Sequence, residues 1–477
     1  MLRLALVVLV VGVVACTDQT EVSSPEAPSD PAATTATDLE LAFDSRDADR
    51  ARTPLSGGAT TVFDESPDAF SNPAPNLSAA NLERHDAGDE DFGAEFVPAP
   101  AAEHAGLGPV FDNVACEACH FGDGRGRPPV PPELFSSLLF RASVAGRGPN
   151  GGPAPVPGFG NQLQLRAIPG FTAEAQAQLT WTEVRGQFAD GTPYSLRVPQ
   201  FTLTGLYQAL PPNVLISPRV APVVFGLGLL EAVRVEEILA LADPRDRNRD
   251  GVSGRPNFVY DAVRRRFALG RFGWKANTPN LLQQSAGAYN GDMGVTSSLF
   301  PGEPCEGRDP ACARHGIEVT DEVVGNTAFY TQTLAVPARR NLDDPVAREG
   351  EQLFYLAQCN TCHAPTLTTG SRTGVREVSN QVIHPYTDLL LHDMGPGLAD
   401  RRPDFQANGQ EWRSAPLWGI GLLQTVNGHT NLLHDGRARD VLEAVLWHDG
   451  EARKARDRVK QFTASQRAAL VAFLQSL

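Results

Sequence analysis

Two copies of one short cysteine and histidine pattern stand far apart in this sequence of 477 residues. The first motif is Cys116-Glu-Ala-Cys119-His120, and the second motif is Cys359-Asn-Thr-Cys362-His363. The spacing Cys-x-x-Cys-His is typical of c-type haem attachment, in which both thiols form thioether bonds with the haem vinyl groups and the histidine ligates the iron. The sequence therefore predicts two covalently bound haem c groups and redox chemistry.

Two other kinds of site also use a Cys-x-x-Cys pair. A zinc site requires a second pair of nitrogen or sulfur ligands at similar spacing, and a dithiol redox site needs no histidine directly after the second cysteine. A histidine repeated at that position favours haem over both. Cysteines bound to haem cannot exchange disulfides, which argues against a thiol oxidoreductase.

Helices that would frame the second motif can be recognised from local signals. Asp344 is placed to cap a helix, Pro345 suits its first turn, and Gly350 resembles the glycine at which the first helix of c-type cytochromes crosses the last. Near the C-terminus, Thr463 and Gln466 match a capping box ahead of an apolar helix face. This part of the chain therefore looks like a cytochrome c domain.

The rest of the chain is long enough for a second, larger haem domain. Asp190-Gly191 lies between two alternating stretches and predicts a β-hairpin. Helical patterns follow near 227–242 and 258–268. The predicted fold class is mainly α, with two cytochrome c-like haem domains and a β-containing insertion in the N-terminal one. The predicted bounds are 48–330 for the N-terminal haem domain, about 156–245 for its insertion, and 331–477 for the C-terminal domain.

The first residues, 1–16, have the features of a bacterial lipoprotein signal. Arg3 precedes an apolar run from Leu4 to Ala15, and Cys16 stands where the lipidated first residue of the mature protein would be. A plain secretory signal or an N-terminal anchor is the alternative, although the run is short for a transmembrane helix. Each of these predicts export, and the lipoprotein signal predicts a periplasmic protein held at a bacterial membrane by a lipid on Cys16. Residues 17–47, rich in Ser, Thr, Pro, Ala and Asp, are predicted to be a disordered tether.

Charge and the remaining cysteines bear on partners and compartment. The formal net charge of −15 argues against nucleic acid as a partner and would attract a small basic electron donor, such as a small cytochrome or a cupredoxin. Cys305 and Cys312 are left once the motifs and Cys16 are assigned. In an oxidising compartment we expect them to form a structural disulfide.

Several stretches outside the motifs resemble one family in order and spacing. They are Phe121-Gly-Asp-Gly-Arg-Gly-Arg-Pro-Pro129, Gly270-Arg-Phe-Gly-Trp-Lys-Ala276, Asn290-Gly-Asp-Met-Gly294, Leu390-Leu-His-Asp-Met-Gly395 and Leu433-His-Asp-Gly-Arg437. From about residue 53 to the C-terminus, the chain resembles the di-haem oxidoreductase (putative peroxidase) family, related to bacterial di-haem cytochrome c peroxidases and to MauG. The resemblance implies two duplicated cytochrome-type units and a peroxidase-like oxidoreductase.

The sixth iron ligands decide what each haem can do. A haem that transfers electrons is normally six-coordinate, whereas a haem that reacts with peroxide needs an open or displaceable sixth position. Met394, 31 residues after His363, is a candidate sixth ligand of the second haem, and Met293 is one for the first; ordinary core packing is the alternative for each. The C-terminal half also carries three histidines in family-like stretches, at least one of which we expect near the second haem: His392, His429 and His434.

Two further residues are candidates for proton and electron transfer. Glu303 could shuttle a proton beside an open iron, and its alternative is a solvated loop acid. Trp274 could bridge the haems for electrons, and its alternative is a packed core indole.

A possible calcium loop lies between the two motifs. Asp246, Asn248 and Asp250 place oxygen atoms at every second position, with Gly251 next for a tight turn, as in the first half of an EF-hand loop. The twelfth position is Asn257, so the usual bidentate carboxylate is missing. A plain turn capped by Asp and Asn side chains is the alternative to a Ca²⁺ site.

These observations support one main functional hypothesis. We expect an exported di-haem oxidoreductase, in which electrons pass from the C-terminal haem to a reactive N-terminal haem. The alternatives are a di-haem electron-transfer protein without its own small-molecule substrate, and a MauG-like oxidant of a partner protein. A binding module that uses the β-containing insertion, with structural haems, is a weaker third hypothesis.

Overall fold

The computed structural model describes residue 48 and residues 50–305, 312, 316–372 and 374–477. The predicted lipoprotein signal with Cys16 and the predicted tether lie outside the described residues. Within the described ranges, no helix combines the length and the apolar character needed to cross a membrane.

The predicted fold class, mainly α, is wrong. Only 30% of the described residues are helical, and 20% lie in strands that belong to many small sheets. Most of these strands are two to four residues long, and several pair with segments far away in sequence, as Thr61 does with Val336. Such short ladders leave no period-two pattern in the sequence, so periodicity alone underestimates them.

Helices are distributed along the whole described chain. They are α1 (Ala79–Gly93), α2 (Leu227–Ala232), α3 (Val235–Leu241), α4 (Leu281–Met293), α5 (Asp321–Thr333), α6 (Pro345–Leu356), α7 (Leu423–Asn427), α8 (Val441–Trp447), α9 (Arg453–Gln461) and α10 (Ala464–Ser476).

Strands concentrate between the two motifs. They are β1 (Thr61–Val62), β2 (Val110–Phe111), β3 (Leu138–Arg147), β4 (Pro153–Ala154), β5 (Gln162–Leu163), β6 (Arg166–Ala167), β7 (Gln176–Gln187), β8 (Pro193–Thr204), β9 (Leu215–Val220), β10 (Phe258–Asp261), β11 (Arg266–Leu269), β12 (Val336–Pro337), β13 (Leu367–Thr368), β14 (Val382–Ile383), β15 (Leu391–Asp393) and β16 (Glu411–Arg413).

Helices α6 and α10 cross closely beside the second motif. The Asp344 side chain caps α6 by accepting the N–H of Val346 at 2.9 Å, and Thr463 with Gln466 forms the predicted capping box on α10. At Gly350 a Cβ atom would collide with the backbone carbonyl of Ala469 in α10. The predicted caps and the predicted glycine crossing are therefore confirmed.

A similar pair of helices stands beside the first motif. Helix α1, which precedes the motif, packs on α5, which lies far beyond it. At Gly88 in α1, a Cβ atom would collide with the backbone carbonyl of Asn326 in α5. Each motif is thus preceded by a helix whose glycine allows a later helix to cross at short range.

The segment between the motifs contains a four-stranded sheet and a long hairpin. Strand β3 pairs with β4, β5 and β9, and its register aligns Leu138 with Val220. Strands β7 and β8 pair antiparallel along their full length around Asp190-Gly191, as predicted. The strands of this region begin at residue 138, before the predicted insertion at about 156–245.

The two helical patterns predicted after the hairpin have different outcomes. Helices α2 and α3 confirm the first, near 227–242. The second, at 258–268, is wrong because β10 and β11 form an antiparallel pair there. The Asp261 carboxylate accepts the N–H of Arg264 at 2.9 Å, which fixes a turn where the helix was expected.

The largest apolar core joins both halves of the chain. Phe70 and Phe225, which precede residue 330, belong to the same buried cluster as Phe354 and Phe473. The hairpin also contacts the C-terminal half, because Asp190 at its turn lies 2.9 Å from the Arg467 guanidinium.

Candidate functional site

Both motifs line one continuous cavity of about 410 Å³. The motif residues that face it are Cys116, Cys119, His120, Cys359, Cys362 and His363. Most of the remaining wall is apolar, although ten Asp, Glu, Arg and Lys residues also line it. The chain therefore brings together two motifs that are more than two hundred residues apart in sequence.

The first motif folds as a tight turn that presents His120 to the cavity. The N–H groups of Cys119 and His120 donate to the carbonyl of Cys116 at 3.1 and 3.0 Å. Nδ1 of His120 donates to the carbonyl of Pro222 at 2.7 Å, which leaves Nε2 as the unprotonated nitrogen. Burial lowers the pKa of His120 to about 4, so the imidazole is neutral and can ligate a metal.

The second motif repeats this geometry. The N–H of His363 donates to the carbonyl of Cys359 at 3.0 Å. Nδ1 of His363 donates to the carbonyl of Tyr386 at 2.9 Å, and burial followed by the nearby His448 lowers the pKa of His363 to about 4. A backbone carbonyl behind a ligating imidazole is the common way in which proteins orient a metal-binding histidine.

The motif cysteines differ from the other cysteine pair. Cys305 and Cys312 form the predicted disulfide, whereas the four motif cysteines belong to no disulfide. Burial raises the pKa of Cys119 to about 12 and that of Cys359 to about 12, so neither forms a thiolate at neutral pH. Cysteines outside any disulfide, neutral imidazoles and a mostly apolar wall are together the donor set and surroundings that a c-type haem requires.

A second imidazole lies beside the second motif. The ring centre of His448 is 6.5 Å from that of His363, and the ring planes are inclined by 46°. Nδ1 of His448 donates to the carbonyl of Ala444 at 2.7 Å, within the last turn of α8. Beside the first motif, the ring next to His120 is that of Phe92, at 6.2 Å.

The N-terminal motif is connected to Trp274 through the backbone. His120 donates to Pro222, and two residues earlier the carbonyl of Val220 accepts the indole N–H of Trp274 at 2.8 Å. The carbonyl of Trp274 in turn accepts the N–H of Arg413 at 2.9 Å. Trp274 is buried and lines the cavity.

The connection continues from Arg413 to the second motif. The next residue, Ser414, accepts the hydroxyl of Thr387 at 2.7 Å on its backbone carbonyl. Thr387 follows Tyr386, whose carbonyl accepts Nδ1 of His363 at 2.9 Å. Covalent bonds and five hydrogen bonds therefore join the two motif histidines, with Trp274 in the middle of the path.

Comparison with known proteins agrees with this geometry. A family model described as "Di-haem oxidoreductase, putative peroxidase" matches residues 51–477. The chain belongs to this family of di-haem oxidoreductases. No curated protein and no solved structure matches the chain. Family membership shows an oxidoreductase with haem cofactors, as the sequence predicted.

The two candidate methionines of this di-haem oxidoreductase both line the cavity. Met293 is buried at the end of α4, and its apolar cluster includes Phe111 and contacts Cys116, so it lies on the side of the first motif. Met394 packs with the apolar cluster that contains Trp274 and Leu398. Ligation by either sulfur stays a prediction.

The three histidines expected near the second haem have different surroundings. His392 lines the cavity, but its Nε2 lies 2.8 Å from Asp388 and its Nδ1 lies 3.0 Å from Glu451. Burial, the largest single influence, opposes its charge, but the charges and hydrogen bonds of Asp388 and Cys362 together outweigh burial and raise the pKa of His392. His392 is therefore a charged partner of two carboxylates, and it lies 3.5 Å from the Cys362 sulfur.

The other two histidines are engaged by different partners, His434 by an indole ring and His429 by the backbone. His434 lines the cavity and stacks on Trp412, with ring centres 3.8 Å apart and planes inclined by 11°. Nε2 of His429 donates to the carbonyl of Arg125 at 3.0 Å, and Nδ1 of His429 accepts the N–H of Asn431 at 3.2 Å. His429 is not among the residues that line the cavity.

Two carboxylates beside the first motif were not predicted from the sequence, the buried Asp112 and the half-buried Asp292. Asp112 and Asp292 line the cavity, and Nε2 of Gln162 donates to both, at 2.7 and 2.8 Å. Burial, followed by the charge of Asp292, raises the pKa of Asp112 to about 7. Glu303, the predicted proton shuttle, is buried but is not among the residues that line the cavity, so its role stays a prediction.

The candidate calcium loop folds as a turn stabilised by its own side chains. Asp246 accepts the N–H of Gly251 at 3.1 Å, and Asn248 donates to the Asp250 carboxylate at 2.8 Å. The Lys454 ammonium donates to the carbonyl of Asp250 at 2.5 Å. In the described part of the chain, no group of three or more His, Cys, Asp or Glu residues could hold a metal ion, and Ca²⁺ binding stays a prediction.

Sequence reasoning also missed His448, although the sequence carries a signal for it. Leu446-Trp-His-Asp-Gly-Glu-Ala452 repeats the pattern of Leu432-Leu-His-Asp-Gly-Arg-Ala438, fourteen residues later (448 against 434).

Proposed function

We propose that this chain is an exported di-haem c-type oxidoreductase of peroxidase type, in which electrons pass from the C-terminal haem to a reactive N-terminal haem. Each motif would hold one haem covalently, through Cys116 and Cys119 in the first and through Cys359 and Cys362 in the second. When bound, each haem supplies a redox-active iron. The observation that carries the proposal is that both motifs face one cavity with equivalent, carbonyl-oriented histidines.

The residues between the motifs are suited to electron transfer. Hydrogen bonds hold both the side chain and the backbone of Trp274. Its indole N–H donates to the carbonyl of Val220, and its own carbonyl accepts the N–H of Arg413. The Arg125 guanidinium lies 4.9 Å from the indole ring centre. A rigid, buried aromatic residue on a continuous bonded path supports the role of Trp274 as a bridge.

The residues beside the first motif are suited to moving a proton. A carboxyl group whose pKa lies near 7 can accept a proton and release it at neutral pH. Asp112 has such a pKa, and Gln162 and the N–H of Leu165 fix its two oxygens. Asp292 shares the Gln162 amide, so the two carboxyl groups can hold one proton between them. This supports the N-terminal side as the place where peroxide would react.

Location and partners follow from the sequence alone. The lipoprotein-like N-terminus supports attachment to a bacterial membrane in the periplasm through Cys16. Haem c attachment takes place outside the cytoplasm, which agrees with export. The net charge of −15 supports a small basic electron donor, such as a cytochrome or a cupredoxin.

The test combines haem content with peroxide turnover. The purified protein should hold two covalent haems per chain, measured from the alkaline pyridine spectrum, and the reduced protein should consume hydrogen peroxide. Asp112→Asn should lower turnover by about a hundredfold, the usual size of a general acid–base contribution. Asp261→Asn is the matched control, since Asp261 is equally buried but does not line the cavity.

The outcomes separate the proposal from its alternatives. A haem content other than two, or no peroxide consumption, would contradict the proposal. Two haems that never bind cyanide or carbon monoxide in any redox state would instead support an electron-transfer protein. Oxidation of a partner protein with no free peroxide consumption would support the MauG-like alternative.

A further inference from the structure

The two imidazoles beside the second motif are arranged as a pair. His363 and His448 have ring centres 6.5 Å apart, and both line the cavity. Each uses Nδ1 to donate to a backbone carbonyl, of Tyr386 in one case and of Ala444 in the other. In each ring the lone pair is therefore on Nε2, the nitrogen that a histidine with this hydrogen bond offers to a metal.

The spacing of the rings matches one iron between them. With metal–imidazole bonds of about 2 Å and ring centres roughly 1 Å behind the ligating nitrogen, two axial imidazoles have centres about 6 Å apart. The distance of 6.5 Å between His363 and His448 fits this value. Face-to-face stacking is excluded for this pair, because stacked rings lie closer and nearly parallel, as Trp412 and His434 do at 3.8 Å and 11°.

From this geometry we propose that His448 supplies the sixth ligand of the iron held by His363. The proposal rests on the proposed haem attachment at the second motif. It replaces the expectation that Met394 occupies that position, because Met394 packs with the cluster of Trp274 and Leu398. His392 cannot compete, since Asp388 and Glu451 engage both of its nitrogens.

The local fold holds His448 in place. It follows the last residue of α8, with φ −62° and ψ 126°, so the helix ends there. Its Nδ1 bond to Ala444 spans that last turn.

The ligand has a consequence for the roles of the two sites. An iron with two histidine ligands is six-coordinate, and a methionine in place of one of them would raise its reduction potential. The second iron could therefore transfer electrons but would have no open coordination position for peroxide. At the first site the ring beside His120 is that of Phe92, which has no atom that can ligate iron. The first iron would therefore keep an open position for peroxide.

The experiment reads coordination directly, by EPR and near-infrared magnetic circular dichroism of the oxidised protein. The wild-type protein should show one low-spin iron per chain with bis-histidine signals. His448→Ala should convert that iron to high spin, and added imidazole should restore the low-spin signal. His448→Met should produce the charge-transfer band of a methionine ligand and raise one midpoint potential.

Matched variants make the result decisive. Met394→Leu and His384→Asn should keep the wild-type spectrum, since His384 is a buried histidine of the same half that does not line the cavity. A methionine band in the wild-type protein that Met394→Leu removes would overturn the proposal. So would an unchanged spectrum in both His448 variants.

Two further measurements keep the test valid if a variant does not accumulate. Nitrogen hyperfine couplings in wild-type protein labelled with ¹⁵N-histidine should show two axial histidines on one iron, and a single one would overturn the assignment. Haem content is measured first on every sample. A chain without haem at the second motif would overturn the proposed function itself, so the two failures are distinguishable.

Discussion

The indole N–H of Trp274 donates to the carbonyl of Val220 at 2.8 Å, two residues before the carbonyl that orients His120. This bond ties the residue between the two motifs to the loop behind the first one. We expect it to matter for the rate of electron exchange.

Trp274→Phe should slow electron equilibration between the two haems while both midpoint potentials stay near their wild-type values. Phenylalanine keeps an aromatic ring but loses the donor to Val220, and loss of one buried hydrogen bond costs about 1 kcal/mol of stability. Flash photolysis of the half-reduced protein measures the rate. Trp181→Phe is the control, since Trp181 lies on the hairpin and does not line the cavity; equal slowing in both variants would contradict the role of Trp274.

Asp123 should make stability depend on pH. Its carboxyl group is buried and accepts the hydroxyl of Tyr330 at 2.8 Å, and burial raises its pKa to about 7. A raised carboxyl pKa means that the folded state holds the proton more tightly, so the free energy of unfolding falls as pH rises from about 4 to about 7.

Asp123→Asn should remove that part of the slope and be more stable than the wild-type protein above pH 7, by a few kcal/mol. Urea unfolding at pH 5 and pH 8 measures the difference. The exposed Asp68 provides the control variant, Asp68→Asn. An identical slope in the wild-type protein and Asp123→Asn would contradict the assignment.

Gly350→Ala should destabilise the protein by about 1–3 kcal/mol, the usual cost of overpacking. The added Cβ would collide with the Ala469 carbonyl, and neither helix backbone can move without disturbing the crossing of α6 and α10. Gly374→Ala is the control, because a Cβ there would meet no atom within 4 Å. Urea unfolding of both variants measures the effect, and equal stability would show that the crossing tolerates a methyl group.

The double variant Cys305→Ala/Cys312→Ala should lower the free energy of unfolding by about 2.5 kcal/mol, the chain-entropy value for so short a loop. Both sulfurs are buried, so the change also removes apolar contacts. Haem content should stay at two per chain, because these cysteines are far from both motifs in sequence. A loss of one haem would indicate that the disulfide supports attachment.

Local signals in the sequence were sufficient for some elements. The haem motifs, the caps at Asp344 and Thr463, the glycine crossing and the hairpin turn each depend on residues within a few positions of one another. Their physical causes are side-chain capping, backbone freedom and turn geometry, which act over short stretches of chain. The structure reproduces the two caps, the glycine crossing and the hairpin.

Other elements depend on contacts that local patterns cannot show. The apolar residues at 258–269 alternate and cluster in a way that suits either a helix or a strand, and the turn at Asp261 decided for strands. The pairing of His448 with His363 joins residues 85 positions apart (448 against 363), and the carboxylates Asp112 and Asp292 are brought together by Gln162. These relationships follow from tertiary packing.

The hairpin of β7 and β8 also bears on how the chain could be divided. It belongs to the N-terminal half in sequence, yet the N–H of Arg197 donates to Glu443 at 2.9 Å and Asp190 pairs with Arg467. A fragment that begins at residue 331 would keep its motif but lose the contact of Arg197 with Glu443, the contact of Asp190 with Arg467 and part of the shared apolar core. Genetic truncation to a single-motif chain should therefore give a fragment that proteases cleave more readily than the full chain.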